Sequence, residues 1–236
     1  MQRYFSNQRI ENYFLLSNDD NYHIKKVMRM KLNDEIEIVD NRETFLCKVI
    51  SLEPVKAQII KKMNEDNEMK IKVTLVQSLV NEQKMDYILQ KCTELGIYSY
   101  YGFMATNSVI KENGKKDKKI ERWQRIVKES SEQSKRNIIP KVVDIIDLNA
   151  LIKLDADVKL LLTVNEKSNN VKNVLQDNRN CGTMIIVVGP EGGFTKMEEE
   201  SLINSGFIPV SLGKRVLRTE TAGVSTLAMI NYEWMV

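Results

Sequence analysis

The sequence predicts an α/β protein in two modules: a small β-rich module over residues 1–68, and a larger module over residues 69–236 with a mostly parallel sheet covered by helices. Short runs of apolar and β-branched residues at strand spacing dominate the first module. Strand and helix patterns alternate through the second, which favours a parallel sheet between helices. A chain of 236 residues is long enough to bury a core in each module.

The first module contains three expected strands, at residues 35–39, 45–52 and 55–60. Helix-like spacing over residues 22–30 brings Tyr22, Lys26 and Arg29 near one another on the surface. The polar segment 63–69, rich in Asn and Glu, is the expected linker, so the boundary is placed between residues 68 and 69.

The second module begins with an expected strand at residues 71–78 and a helix at 84–95, which Gly96 ends. A basic loop at 113–119 is expected before a helix at about 120–135. A further strand is expected at residues 159–164.

Two apolar runs in the last quarter of the chain each end in a glycine turn. Residues 184–188 lead into the turn Gly189–Phe194 (GPEGGF), and the capping box of Thr195 and Glu198 starts a helix immediately afterwards. Residues 207–212 lead into the second turn, which begins at Gly213 and precedes a last helix over 222–234. Loops at strand ends are the usual ligand site of an α/β sheet, so both turns are candidates for one site.

Spacing and composition exclude several classes of site. Neither turn has the GxxxxGK[ST] spacing of a phosphate loop or the GxGxxG of a dinucleotide fold. His23, the single histidine, lies far from both turns in the sequence, which argues against a catalytic imidazole or a His-bound metal there.

Cysteine usage and the amino terminus favour a cytoplasmic protein. The three cysteines are scattered without metal spacing and are expected to be reduced thiols. The first ten residues lack a signal-peptide core, and no run approaches the length of a membrane span. A net charge of +3 is too small to predict a nucleic-acid partner by itself.

Together, the two turns carry a resemblance to a known family. GPEGGF followed by LGKRVLRTETA at residues 212–222 is similar to the RsmE family of 16S ribosomal RNA methyltransferases, which belong to the knotted SPOUT class. Further matches are QKCTELG at residues 90–96, EQSKR at 132–136, and residues 23–34. The resemblance covers nearly the whole chain, in order.

The resemblance implies a trefoil knot in the second module, a PUA-like β-barrel in the first, and S-adenosylmethionine as methyl donor. Three loops would form the donor pocket, at about residues 163–165, 189–193 and 211–217. The expected donor-binding residues are Thr163, Gly189, Pro190, Glu191, Gly192, Gly193, Leu212, Gly213, Val216 and Leu217.

The implied reaction is methylation of N3 of a uridine in 16S ribosomal RNA. That nitrogen must lose a proton, and the negative charge that results spreads onto the neighbouring carbonyl oxygens, where a guanidinium stabilises it. Arg218 is the candidate for this role, and Glu220 or Glu191 for accepting the proton.

The implied partners are 16S ribosomal RNA, within the small ribosomal subunit, and a second copy of the chain in a homodimer. Basic and polar residues are candidates for RNA contact, and Arg136 is also a candidate for completing the partner copy's site. The candidates are Arg3, His23, Lys26, Arg29, Gln133, Arg136 and the loop 115–119.

Each feature also has a structural interpretation. In that interpretation, the first glycine turn simply ends a strand, and Arg218 and Glu220 only pair with each other at a helix start. The small residues Ala222, Gly223, Ser225 and Thr226 are expected to serve helix packing, with a dimer interface as one place for it. Two other functions stay open: a non-catalytic RNA-binding or assembly protein on a SPOUT scaffold, and a SPOUT methyltransferase with another RNA or a protein as substrate.

Overall fold

The computed structural model describes residues 1–110 and 114–234, which divide into two compact units. The first unit is Met1–Glu68 with Ser131–Ile139, and the second is Met69–Ser130 with Pro140–Val236. The first therefore contains a segment distant in sequence from the rest of it.

The first unit is a six-stranded sheet with one short helix. Its elements are β1 (Arg3–Phe5), β2 (Arg9–Ile10), β3 (Tyr13–Leu15), α1 (Asn18–Tyr22), β4 (Glu35–Asp40), β5 (Glu43–Leu52) and β6 (Val55–Met63). The strand order is β1-β4-β5-β6-β3-β2, and all pairs are antiparallel except β1 with β4. Alternate residues such as Ile36, Ile38, Cys47 and Val49 point into a single core.

The predicted helix at 22–30 begins earlier than expected, at Asn18, and turns from an α-helix into a π-helix after Tyr22. Ser17 caps α1 by accepting a hydrogen bond from the backbone N–H of Asp20, and the helix continues as a π-helical turn over His23–Val27. The Ser17 cap sets the start of the helix at Asn18. The prediction relied on the spacing of Tyr22, Lys26 and Arg29, which does not indicate that start.

Segment 131–139 is bound to the strands of the first unit by buried polar contacts. The Asn137 amide donates to the carbonyl oxygens of Arg42 and Glu65 at 3.1 and 3.0 Å, and to Thr44 Oγ1 at 3.0 Å. Glu68 accepts hydrogen bonds from the backbone N–H groups of Asn137 and Ile138. Glu65 and Glu68, which lie in the predicted linker, therefore take part in this ordered polar network.

The second unit is a six-stranded parallel sheet flanked by helices. Its elements are β7 (Lys72–Ser78), α2 (Glu82–Glu94), β8 (Ser99–Phe103), α3 (Lys116–Gln133), β9 (Lys141–Ile146), α4 (Leu148–Leu151), β10 (Val158–Leu162), α5 (Val171–Asp177), β11 (Thr183–Val188), α6 (Lys196–Asn204), β12 (Ile208–Val210) and α7 (Thr219–Trp234). The strand order is β12-β10-β11-β7-β8-β9, and every pair is parallel. The predicted fold class is confirmed, while the trefoil knot stays a prediction.

Strands β10 and β11 are buried on both faces, which explains their continuous apolar sequences. One face packs with Leu202 of α6 and Phe207 in a core that includes Ile185 and Val187. The other face receives α7, where a Cβ on Gly223 would lie 3.5 Å from Leu75 and 3.6 Å from Val188.

The small-residue side of α7 packs against the sheet within this chain, and its part in a dimer interface stays a prediction. Ala222, Gly223 and Thr226 are buried, and Ser225 is partly buried. A backbone that approaches the sheet closely needs small side chains at the contact.

Helix α3 begins a turn earlier than the sequence predicted. Lys116–Lys119, expected in a basic loop, are the first residues of the helix, and Lys116 Nζ pairs with Asp144 at 2.5 Å. Asn113, also assigned to that loop, lies outside the described residues. Within residues 1–110 and 114–234, no helix is long and apolar enough to cross a bilayer.

Candidate functional site

Three loops meet at the carboxyl edge of the parallel sheet. Strands β10, β11 and β12 run in the same direction, so Thr163, Gly189 and Ser211, which follow them, lie at one edge. The three loops line a cavity of about 620 Å³. All ten predicted donor-binding residues line it: Thr163, Gly189, Pro190, Glu191, Gly192, Gly193, Leu212, Gly213, Val216 and Leu217.

Two glycines of the first loop are required by its geometry. A Cβ on Gly189 would lie 2.9 Å from the ring of Phe194, which folds back over the loop. Gly193 has a φ of +70°, a conformation that side chains rarely adopt. The Asn107 side chain also donates to the carbonyl oxygens of Gly192 and Gly193, at 3.3 and 3.1 Å.

Hydrogen bonds connect the first glycine loop to the start of α7. Thr219 Oγ1 donates to the carbonyl oxygen of Gly189 at 2.6 Å and accepts from Gln77 Nε2 at 3.0 Å. The hydroxyl of Ser78 donates to the carbonyl oxygen of Val188 at 2.8 Å. The two glycine motifs are therefore joined through buried polar side chains at the end of β7.

The predicted capping box fixes the other side of the first loop. Thr195 and Glu198 exchange hydrogen bonds at the start of α6. The Glu198 carboxylate also accepts from the backbone N–H and the hydroxyl of Thr106, at 2.8 and 2.9 Å. Burial acts to raise the pKa of Glu198, but these hydrogen bonds lower it overall, so the group is held as a carboxylate.

Arg218 and Glu220, the predicted catalytic pair, differ sharply in exposure. The Arg218 side chain is 81% exposed and its Nη1 lies 3.9 Å from Glu220 Oε1. The Glu220 side chain is 15% exposed, and its Oε2 accepts no hydrogen bond among the described residues. The guanidinium is thus free to move, while the carboxylate is held at the base of α7.

Lys84, on α2, is a cavity residue that the sequence analysis missed. Its ammonium lies 2.8 Å from Glu191 and 3.5 Å from Glu220. The hydrogen bond to Glu191 raises the pKa of Lys84, and the same bond lowers that of Glu191. A lowered pKa makes Glu191 a poorer proton acceptor.

Glu199, on α6, is a second cavity residue that the sequence analysis missed. Its carboxylate accepts hydrogen bonds from Thr163 Oγ1 and from Asn165 Nδ2, the latter at 3.0 Å to each oxygen. It supplies negative charge to a cavity that also contains Lys84 and Arg218. The capping-box spacing that identified Glu198 also placed Glu199 in the first helical turn, but only tertiary structure brings it to residues 163–165.

The predicted RNA-contact residues of the first unit fall into two groups, and the segment 115–119 belongs to the second unit. Lys26, Arg29 and Gln133 are exposed, and His23 is partly buried, with its Nδ1 3.0 Å from the hydroxyl of Tyr4. Burial raises the pKa of Tyr4, so its hydroxyl stays protonated.

Arg3 and Arg136, in contrast, are buried in ion pairs. The Arg3 side chain is 1% exposed and bonds to Glu37 at 2.8 Å and Glu65 at 3.1 Å, while Arg136 pairs with Glu68. RNA contact was predicted for both, and for Arg136 also a place in the partner copy's site. In this structure both side chains take part in the buried network around segment 131–139.

Comparisons with known proteins agree with these observations. Residues 67–231 match the sequence model of an RNA methyltransferase domain, and residues 16–62 match that of an RNA methyltransferase PUA domain.

No group of three or more His, Cys, Asp and Glu side chains in the described ranges is arranged to hold a metal ion.

Individual relatives match over nearly the full chain. Ribosomal RNA small subunit methyltransferase E of Bacillus subtilis is 35% identical, over 99% of this chain and 97% of the relative. The protein of the same name from Mesomycoplasma hyopneumoniae is 35% identical, over 96% of this chain and 97% of the relative. A crystal structure of ribosomal RNA small subunit methyltransferase E from Neisseria gonorrhoeae, bound to S-adenosyl methionine, superposes with a TM-score of 0.88 at 31% identity, over 99% and 98% of the two chains.

Proposed function

Because the chain belongs to the ribosomal RNA small subunit methyltransferase E (RsmE) family, as its two glycine motifs predict, we propose that it transfers a methyl group from S-adenosylmethionine to N3 of a uridine in 16S ribosomal RNA. The observation that carries the proposal is the cavity of about 620 Å³ between three strand-end loops. Its volume suits a ligand of this size.

The chemistry of the loops fits the donor. Glycine backbone groups in residues 189–193 offer N–H and C=O groups to the edge of an adenine, and Leu212, Val216 and Leu217 offer apolar walls. When bound, S-adenosylmethionine supplies a methyl group on a positively charged sulfur. The carboxylates of Glu191 and Glu199 reduce the repulsion that the positive side chains at the cavity exert on that sulfur.

The reaction requires a proton to leave N3 of the uridine. In the proposed mechanism Glu220 accepts this proton and later passes it to water, while Arg218 stabilises the negative charge that spreads onto the flanking carbonyl oxygens. The bond from N3 to the methyl carbon forms as the bond from sulfur to that carbon breaks, and its electron pair returns to sulfur. Alignment of the two reactants supplies much of the acceleration, up to roughly 7–11 kcal/mol.

We further propose a division of labour along the chain. Residues 1–68 act as the RNA-binding module, in which His23, Lys26 and Arg29 contact phosphates, together with Gln133 from segment 131–139. Residues 69–236 form the methyltransferase module. The substrate is 16S RNA, within the small ribosomal subunit, and the enzyme acts as a homodimer.

Analysis of the reaction product tests this function. Small ribosomal subunits lacking the modification are incubated with the protein and S-adenosylmethionine, and their RNA is digested to nucleosides. We expect N3-methyluridine in proportion to enzyme. A different methylated nucleoside would favour a methyltransferase of another specificity, and donor-independent RNA binding without any product would favour a non-catalytic assembly protein.

A further inference from the structure

Lys84 lies outside both glycine motifs but contacts a carboxylate from each of them. It is in the first turn of α2, whereas Glu191 belongs to the first glycine loop and Glu220 to the first turn of α7. The ammonium lies 2.8 Å from Glu191 Oε1 and 3.5 Å from Glu220 Oε2, and the Lys84 side chain is 26% exposed. One positive charge therefore links three separate segments at the cavity.

The environment of Glu220 distinguishes this cluster from an ordinary surface ion pair. Its Oε2 is buried and accepts no hydrogen bond among the described residues, so the Lys84 ammonium is the charged group that compensates it there. The exposed Arg218 lies 3.9 Å from Oε1 of Glu220, and the Lys84 ammonium also pairs with Glu191. Removing Lys84 takes away the one charged group that contacts both carboxylates.

We propose that Lys84 is a positioning residue for methyl transfer, because its ammonium holds Glu191 and Glu220 together and so fixes the first glycine loop against the start of α7. This role rests on the proposed function, in which Glu220 is the proton acceptor. A purely structural ion pair would affect stability without changing how turnover depends on pH.

The variant Lys84→Met tests the role, because methionine keeps an unbranched apolar stem and removes the charge. We expect turnover to fall about tenfold, equivalent to about 1.4 kcal/mol, with a smaller change in the KM for S-adenosylmethionine. The acidic limb of the turnover–pH profile should move to higher pH, because Glu191 loses the hydrogen bond that lowers its pKa. Lys84→Arg should restore most of the turnover and the original profile.

Lys91→Met is the matched control. Lys91 lies on the same helix and pairs with Glu94 at 2.8 Å, but it does not line the cavity, so turnover and pH profile should equal those of the wild type. If Lys84→Met does not fold, Lys84→Gln replaces it, since the amide donates a hydrogen bond without charge.

The experiments distinguish a failure of the proposed function from a failure of the role assigned to Lys84. A wild-type protein that methylates no RNA overturns both the proposed function and the role of Lys84. An active wild type with an unchanged turnover and pH profile in folded Lys84→Met, or with no rescue in folded Lys84→Arg, overturns the role of Lys84 alone.

Discussion

Arg218 and Glu220 are two positions apart in sequence, yet the fold gives them environments suited to different tasks. Arg218 immediately precedes α7, and its carbonyl oxygen accepts hydrogen bonds from the backbone N–H groups of Thr221 and Ala222. Its backbone is therefore fixed while its guanidinium stays in solvent. Glu220 lies in the first turn of α7, and its Oε2 is 3.5 Å from the ammonium of Lys84. In the proposed mechanism the RNA base must be able to contact the guanidinium. An exposed arginine side chain on a fixed backbone allows that contact.

The variant Arg218→Ala should separate catalysis from donor binding. We expect turnover to fall about 100-fold, the effect typical of losing one group that stabilises a developing anion. Affinity for S-adenosylmethionine should stay nearly unchanged, because the 81% exposed side chain contributes little to the cavity walls. Single-turnover assays and calorimetric titration measure the two quantities.

Arg218→Lys serves as the comparison for charge. Lysine keeps the positive charge but loses the planar fork of the guanidinium, so turnover should lie between those of the wild type and Arg218→Ala. The assigned role is wrong if donor affinity collapses with Arg218→Ala, or if that variant turns over normally.

The site was predictable from sequence only where its residues lie within motifs. The glycine loops and Arg218 belong to short contiguous motifs, which can be recognised in the sequence without knowledge of the fold. Lys84 and Glu199 do not, because each reaches the cavity from a helix whose position depends on the order of strands in the sheet. For Arg3 and Arg136, the sequence showed basic side chains but not the carboxylates with which they pair in the structure.

At the scale of single elements, the most important local structure is the amino terminus of α6. Its capping box ends the first glycine loop and also anchors Thr106, so one carboxylate fixes two segments. Strand runs, caps and glycine turns are local signals, and the elements they mark were predicted well. The start of α3 was not, because its first turn, Lys116–Lys119, is basic and resembles a loop until tertiary contacts such as Lys116 with Asp144 are known.

Substitution of Glu198 by Gln should destabilise the protein in a pH-dependent way. The lowered pKa of Glu198 in the folded state means that its carboxylate stabilises the fold above the ordinary glutamate value of about 4.3, and that this stabilisation is lost as pH falls through the lowered pKa. At pH 7 we expect a loss of about 1–3 kcal/mol in the free energy of unfolding. Urea unfolding at pH 7 and at pH 3 should show the difference from wild type narrowing in acid.

Glu200→Gln is the control for that experiment. Glu200 lies on the same helix in an exposed pair with Lys196 at 3.6 Å, so its substitution should change stability by less than about 1 kcal/mol. A pH-independent loss for Glu198→Gln would show that packing, rather than the ionised carboxylate, holds the cap.

At the scale of the whole molecule, the first unit is completed by residues from far along the chain. Sequence reasoning treated residues 1–68 as a continuous module because composition changes near Met69. The hydrogen bonds of Asn137 and the buried pair of Arg136 with Glu68 are long-range contacts that leave no periodic pattern. The backbone carbonyl oxygens of Lys135 and Arg136 also accept hydrogen bonds from Arg3, at 2.5 and 3.1 Å.

A fragment of residues 1–68 should therefore fold poorly on its own. Without segment 131–139, Glu68 loses its cation and Arg3 loses two carbonyl acceptors, and leaving a buried charge without its partners costs about 3–5 kcal/mol. That is a large part of the stability of a domain this small. Joining residues 131–139 to the fragment by a glycine-serine linker should restore a cooperative urea transition followed by circular dichroism.

The same joined fragment with Asn137→Ala should unfold at lower urea, because the carbonyls of Arg42 and Glu65 lose a buried donor. An equally cooperative transition at the same midpoint for residues 1–68 alone would show that the strands suffice and that segment 131–139 only rests on them.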